Sequence, residues 1–483
     1  MEYVTEGFEP RDALHYFEEL SAIPRGSGNE KAVSDFVAAF AGQQGLETVQ
    51  DEVNNVYVRI PASDGYEDTP AVMLQGHLDM VCEKRESVVH DFEKDPLKLR
   101  VKDGRLMAGG TTLGADDGVA IAYMMALMSR HGYPHPPLEL LLTVDEETGM
   151  TGASSMQSGF FKARRLINLD GGPEGTVLVS CSGGLRAKVT KACRLVPPTG
   201  RLLSIRLHGL KGGHSGEDID KERGNANKLL GRILYAMLQC RPFSLIELNG
   251  GSKENAIPLE SGCVAACAPG DFEALASQAL QEAIAAKAEL ALSDPGLDFE
   301  ITEGAAGASG MFSAEDTADI VRLLYLLPNG IRAQSTEIAG LVTCSNNVGI
   351  LRTRASEVAV YNALRSPVAS MKDDLARQIA ALAGLCGAVC ERGNDYPGWP
   401  YQKDSALRET CMETYRSLYG RDMEPLAIHA GVECGIFSEK LPGIDMVSIG
   451  PEMHDFHTPE EWLDLASFKR TFEYLLELLR RLA

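Results

Sequence analysis

Apolar runs that end on histidine or carboxylate punctuate the first third of the chain. "AVMLQGHLDM" (71–80), "PLELLLTVDEETG" (137–149) and "RLINLDGG" (165–172) each open on a nearly continuous apolar stretch and close on charge and glycine. Short runs of this kind, bounded by turn residues, read as strands buried on both faces. "VNNVYVRIPA" reads as a further strand, stopped early by Pro61. Between these the spacing turns helical. "RDALHYFEEL" and "EKAVSDFVAAFAGQQG" predict helix across 11–45, and "GVAIAYMMALMSRHG" predicts an apolar helix that ends at Gly132. Strand, helix, strand in that order implies an α/β sheet covered on both faces.

From about 186 to 391 the pattern changes. Strands alternate more clearly, as in "LLSIRLHGL" and "EVAVYNALRS", and long alanine-rich helices intervene, such as "DFEALASQALQEAIAAKAELAL". Two helix-plus-strand sets suggest a weak internal duplication. One helix-like segment, "MKDDLARQIAALAGLCGAVC", carries Cys386 and Cys390 four residues apart. Beyond about 395 the α/β pattern resumes with "MEPLAIHAGVECGIF", "DMVSIGPEMHDFHTP" and a closing helix. The expected architecture is a discontinuous α/β domain from residues 1–185 and 392–483, a mixed sheet flanked by helices, with an α+β domain inserted at 186–391.

The 483 residues exceed what one hydrophobic core serves, in keeping with two or three domains. A formal net charge of −22 argues against nucleic acid and anionic membrane as partners, since both require a basic surface. The acidic start lacks the apolar region of a secretory signal, and no apolar run approaches the roughly 20 residues of a membrane helix. Eleven scattered cysteines without a CxxC pair suit reduced, mostly buried thiols, so the expected location is the cytoplasm.

Four clusters of ionisable residues fall at predicted strand ends or in the loops that follow: His77 and Asp79; Asp116 and Asp117 in "TTLGADDG"; Asp145, Glu146 and Glu147; and Asp170. Taken singly, an HxD is usually a surface accident and a DEE before glycine a solvated turn. Together they converge on the carboxyl edge of a sheet, where α/β proteins bind ligands. Carboxylates gathered there repel one another unless a cation sits among them. His77 and Asp79, two residues apart on a strand, point the same way, so Asp79 can orient the ring while its other nitrogen binds metal.

"GHLDMVCEK", "TTLGADDG", "DEETGMTGA", "LINLDGG", "GGHSGEDIDKERGNANKLL", "ENAIP" and "GPEMHDFHTPEE" occur in this order. The set resembles the aminoacyl-histidine (Xaa-His) dipeptidases, or peptidase D, within the superfamily of di-zinc aminoacylases, peptidase T and glutamate carboxypeptidases. Many superfamily relatives carry a lysine after the paired aspartates; Gly118 stands there, as in the aminoacyl-histidine branch. The resemblance implies two zinc ions, with cobalt or manganese as substitutes. It makes His77 and Asp170 ligands of the first zinc, Glu147 and His457 ligands of the second, and Asp116 the bridge. His454, three residues before His457, is the competing last ligand. Asp79 becomes the orienting partner and Glu146 the general base. His214 becomes the oxyanion donor, with Asn255, Arg365 and Gly431 as substrate contacts and His429 as support. A cis peptide after Asp116 is also implied.

The expected activity is metal-dependent hydrolysis of small unblocked dipeptides, carnosine-like Xaa-His among them, with the inserted domain serving as lid and as the surface of a homodimer. An N-acyl amino acid deacylase or broader aminopeptidase on the same centre is the alternative. A non-catalytic metal-dependent binding protein is the second, against which the presence of both Asp79 and Glu146 speaks.

Overall fold

The structure, a computed structural model, describes residues 3–304, 310–338 and 340–483. The chain forms two compact units: residues 1–180, 401–427 and 432–483, and residues 181–400 with 428–431.

The first unit is built on an eight-stranded mixed sheet. Its spatial order is Glu47–Gln50, Val56–Ile60, Leu138–Thr143, Val72–His77, Arg165–Asn168, Asp445–Ser448, Thr176–Cys181 and Glu424–Ile428. The Val72–His77 strand pairs in parallel with both Leu138–Thr143 and Arg165–Asn168, and the latter pairs in parallel with Asp445–Ser448. Parallel neighbours bring their carboxyl ends to one edge, so His77 and the loops after Thr143 and Asn168 emerge together. Every residue of Val72–His77 and of Leu138–Thr143 is buried. That is the state of strands covered on both faces, and it explains why these segments read as unbroken apolar runs.

The helix Ala115–Ser129 is apolar around its whole circumference and is buried almost throughout. Asp116 and Asp117 stand in its first turn with non-helical backbone angles, joined by a cis peptide. The predicted helix over 11–45 is two helices, Arg11–Ser21 and Lys31–Gln43. The intervening "IPRGSGN" breaks the apolar spacing with proline and glycine. A four-stranded antiparallel ribbon, in the order Met453–His454, Trp462–Asp464, Arg105–Ala108 and Leu99–Lys102, carries two loops: one holds His457, the other leads into Asp116.

The second unit has a nine-stranded antiparallel sheet. Its core joins the helices Ala226–Cys240, Phe272–Glu289, Ala314–Leu326 and Ala369–Leu385 to the sheet. At each end of the sheet the edge strand follows a long helix: Asp298–Glu303 after Phe272–Glu289, and Val389–Tyr396 after Ala369–Leu385. The segment holding Cys386 and Cys390 is therefore not one helix. The helix stops at Leu385, Gly387 turns the chain at φ +59°, and Cys390 lies in the strand that follows. All eleven cysteines are free thiols. Among the described residues no helix is long and apolar enough to cross a membrane.

Candidate metal centre and active site

At the carboxyl edge of the first unit's sheet, His77 closes its strand fully buried, with Nε2 2.9 Å from Asp116 Oδ1 and 3.9 Å from Asp170 Oδ1. The other Asp116 oxygen lies 3.3 Å from His457 Nε2, which is 3.1 Å from Glu147 Oε1. The two clusters, His77–Asp116–Asp170 and Asp116–Glu147–His457, each bring their ligand atoms within 4.8 Å of one another and share Asp116. His454 points elsewhere: it pairs with Glu452 at 2.6 Å and stacks on Trp462. His457 itself stands at φ 60°, in the left-handed region uncommon for a residue with a β-carbon.

Asp79 ties the site together. One oxygen faces His77 Nδ1 at 3.3 Å and accepts from the Glu146 amide at 3.0 Å; the other accepts from the Glu147 amide and from Ser27 Oγ. The regular strand ends at His77, but the Leu78 amide still donates to Thr143, which carries the chain one step further and aims Asp79 inward. Burial opposes the charge on Asp79, yet His77, Ser27 and the Glu146 amide hold its carboxyl at about 2.

The remaining groups show how crowded the charge is. Burial works against the His77 imidazolium, but Asp116, Asp79 and Asp170 outweigh it and push the ring well above its usual value. Hydrogen bonds to Asp116 and Glu147 raise His457 to about 10. Burial lifts Asp170 well above the carboxylate range, and Asp116 adds to it. Burial does the same to Glu146, with Glu433, Asp116 and Glu147 adding to it. Four carboxylates, Asp116, Glu146, Glu147 and Asp170, thus crowd about two imidazoles. Nitrogen and oxygen donors converging in two groups on a shared carboxylate fit a pair of divalent cations of the zinc type.

Two buried residues outside the expected set hold the Asp116 loop. Glu461 accepts from the amides of Leu113, Gly114 and Ala115 at 2.7, 3.0 and 2.8 Å. Arg25 donates to the carbonyls of Leu78, Asp79 and Gly114, so it bonds the loops of His77 and Asp116 at once. A β-carbon on Gly118 would meet the Arg25 guanidinium at 2.8 Å and Phe17 at 3.0 Å. The absence of a side chain at Gly118 is therefore what leaves room for this buried cation. "PEE" and "IPRGSG" stand in the sequence, but nothing in their spacing marks these roles.

In the second unit, three of the expected substrate contacts assemble by themselves. His214 pairs across a short ladder with Ala256, and the Asn255 carbonyl accepts from the Ser215 amide. Buried Arg365 donates from Nη2 to His214 Nε2 at 3.2 Å and from Nε to Ser215 Oγ at 3.3 Å. Burial, with Arg365 beside it, holds His214 below its usual value. Gly431 lies against the Tyr396 ring, 2.7 Å from where a β-carbon would stand. His429 is supporting structure: its ring nitrogens meet Ser182 Oγ at 3.2 Å and Ser345 Oγ at 2.7 Å.

Fold and site together define a hydrolase of the paired-metal type on a mixed α/β sheet. The family model described as Peptidase family M20/M25/M40 matches residues 73–481, and the chain belongs to that family. It is 35% identical over 477 residues to the cytosol non-specific dipeptidase of Escherichia coli (strain K12), covering 98% of each chain. The crystal structure of aminoacylhistidine dipeptidase from Vibrio alginolyticus superposes with a TM-score of 0.93 at 34% identity, over 99% of this chain and 98% of that one. A tripeptidase structure from Staphylococcus aureus, 17% identical with a TM-score of 0.56 over 98% and 99% of the two chains, shares the fold.

The buried His429 generates a pH test. Burial, then Arg365 and His214, lower it to about 3. In the unfolded chain its pKa is about 6.5. The folded value is depressed, so the neutral ring contributes stability in full above pH 6.5 and loses it as pH falls toward 3. His429→Gln is expected to flatten the acid limb of stability against pH, by up to about 1.4 kcal/mol for each pH unit in that window. Urea midpoints measured from pH 7 to pH 4 check it; parallel curves for the two proteins would show that His429 titrates normally in the fold.

Proposed function

We propose that this peptidase is a two-zinc dipeptidase acting on unblocked dipeptides, carnosine-like Xaa-His substrates among them, in the cytoplasm. The observation that carries the reading is Asp116, one carboxylate shared between His77–Asp170 on one side and Glu147–His457 on the other. The dipeptidase names of the Escherichia coli and Vibrio alginolyticus relatives, matched over nearly the whole chain, support the substrate class.

In this reading His77 and Asp170 would hold the first zinc, Glu147 and His457 the second, with Asp116 shared between the two groups. When bound, the metal pair supplies a water of lowered pKa and polarises the scissile carbonyl. Glu146 takes the proton of that water and returns it to the leaving amine. Asp79 fixes the His77 ring through Nδ1 and fixes Glu146 through its amide, so one carboxylate orients both a ligand and the base. Arg365 suits the terminal carboxylate of a dipeptide, because its planar fork donates two parallel hydrogen bonds. An arginine only donates, so His214 Nε2 facing it is an acceptor. Transfer of Arg365 to the substrate carboxylate frees that nitrogen to take up a proton from solvent, and the protonated His214 ring then serves as oxyanion donor. Asn255 and Gly431 complete the recognition set. The second unit is also the proposed lid and homodimer surface. Leu280 and Ile284, exposed one turn apart on Phe272–Glu289, support the latter, and sedimentation velocity decides it.

Chelation is expected to abolish hydrolysis and zinc to restore it, with cobalt or manganese as partial substitutes. On a panel of carnosine-like dipeptides and N-acyl amino acids, the free dipeptides should be cleaved faster. Preferential cleavage of the acylated compounds would move the protein to the deacylases, and full activity without metal would end the two-zinc reading.

Glu146→Ala is expected to lower kcat by ~10²–10⁴-fold with both zinc ions retained. Glu147→Ala should instead release one zinc. Metal counting by plasma emission on the two variants separates base from ligand, and the reverse pattern would exchange the roles.

His214→Ala is expected to lower kcat by ~10²–10³-fold, the usual effect of losing an oxyanion donor, with metal content unchanged. Wild-type turnover in this variant would return His214 to the role of a loop histidine.

A further inference from the structure

Beneath the ligands lies a second polar layer that the reaction does not use. Gln75 and His77 are two residues apart on one strand and share a face. On the neighbouring strand Asn168 is in register with Gln75, two residues before Asp170. On the other side Thr143 is the last strand residue before "VDEE". All three are buried, and their side chains are hydrogen-bonded in a row. Asn168 Nδ2 donates to Gln75 Oε1 at 2.6 Å, and Gln75 Nε2 donates to Glu433 Oε2 at 2.5 Å and to Thr143 Oγ1 at 3.2 Å. Thr143 Oγ1 donates to the same Glu433 oxygen at 2.7 Å. Glu433 stands just ahead of the short helix Cys434–Lys440 at 1% exposure, and its other oxygen, Oε1, is buried without a hydrogen-bond partner.

Three adjacent strands that each lead into a member of the metal site are therefore knotted to one carboxyl group from a distant part of the chain. We propose that Glu433 is a positioning residue for the metal centre: through Gln75 and Thr143 it fixes the carboxyl ends of the strands that present His77, Asp170 and the Glu146–Glu147 pair. An apolar core would cover these strands equally well, and burying four polar side chains is unfavourable unless they are mutually satisfied. What the row adds is a fixed lateral spacing at the ligand level and just behind it, with Thr143 opposite His77 and the Gln75–Asn168 pair two residues back. Groups standing behind metal ligands in this way typically change metal affinity or activity by about 10–100-fold when removed. Burial pushes the Glu433 carboxyl up to about 7, in keeping with a group that acts through hydrogen bonds rather than through full charge.

The inference rests on the metal-site reading above, and the test keeps the two apart. Zinc per chain and the chelator concentration for half-loss of zinc are measured on folded, zinc-loaded wild type and on Glu433→Leu, Glu433→Gln and Thr143→Val. Wild type that retains no zinc refutes the site itself. If the site holds, Glu433→Leu is expected to release zinc at about 10–100-fold lower chelator, with kcat falling and KM unmoved. Thr143→Val, which keeps shape and loses only the hydroxyl, should move the same way by less. Glu433→Gln, which keeps an acceptor for Thr143 and Gln75, should restore most of the affinity. A merely structural role lowers the melting temperature and leaves the zinc affinity of the folded protein where it was. That outcome for Glu433→Leu, or for Thr143→Val where the leucine variant does not fold, overturns the proposal, as does Glu433→Gln losing as much zinc affinity as Glu433→Leu.

Discussion

Like-charge crowding at one sheet edge is the constraint around which the first unit is organised. Three parallel strands and one helix start deliver Asp116, Asp170, Glu146 and Glu147 into a small volume. Isolated carboxylates in such a place would protonate or drive the strands apart. Instead the carboxyl pair Asp116–Asp117 stands at the N-terminal end of the buried helix Ala115–Ser129, where the peptide dipoles favour negative charge. Imidazoles stand on both sides of Asp116. Neither provision offsets the whole cluster: Asp170 and Glu146 stay well above the usual carboxylate range, the imbalance that a bound cation would relieve.

Holding such a cluster open requires anchors that are not themselves part of it. Asp117 is one: its Oδ2 accepts from the His77 amide at 3.1 Å, so it is turned away from the shared space and into the strand. Glu461 spreads one carboxylate over three successive amides of the loop leading to Asp116. Arg25 bonds three carbonyls from the two loops that must approach. A buried arginine is expensive in isolation; here Asp79, Glu461, Asp117 and Asp116 offset the burial that depresses its pKa. These are charged residues doing backbone work, and they leave the outer ring of groups to do chemistry.

Much of this was legible in the sequence because the relevant signals are local. An apolar run ending in His or Asp is written in consecutive residues, and parallel strands turn that local pattern into spatial convergence. The ordered motifs favoured His457 and left His454 as its competitor; in the structure His454 turns to Glu452 and Trp462, while His457 stands beside Asp116 and Glu147. The partners that were not legible are those joined across long separations: Glu461 to the 113–115 loop, Glu433 to Gln75 and Thr143, Arg25 to Gly114. A glutamate two residues after a Thr-Pro, or an arginine between proline and glycine, has no periodicity to betray burial. The split of the 11–45 helix and the strand at Cys390 had local markers, proline and glycine, that the helical spacing on either side obscured.

The triplet Asp145–Glu146–Glu147 shows how one local pattern yields three different environments. Asp145 stands at φ 58°, its carboxylate bonded to Thr148 and Thr151 and its carbonyl accepting from Gly149 and Met150. It is spent on closing the turn. A closed turn in the left-handed region reverses the direction of the chain immediately after the strand, so the next two amides face back toward the sheet edge, where Asp79 accepts both. With their backbones so fixed, Glu146 and Glu147 project as neighbours from one rigid loop. Glu147 meets His457, while Glu146 is half-buried in the field of Asp116, Glu147 and Glu433. A carboxylate that pairs with an imidazole is suited to hold metal, and one held in a crowded anionic field is suited to accept a proton. The proposed division of labour between adjacent, chemically similar side chains thus follows from where the turn points them.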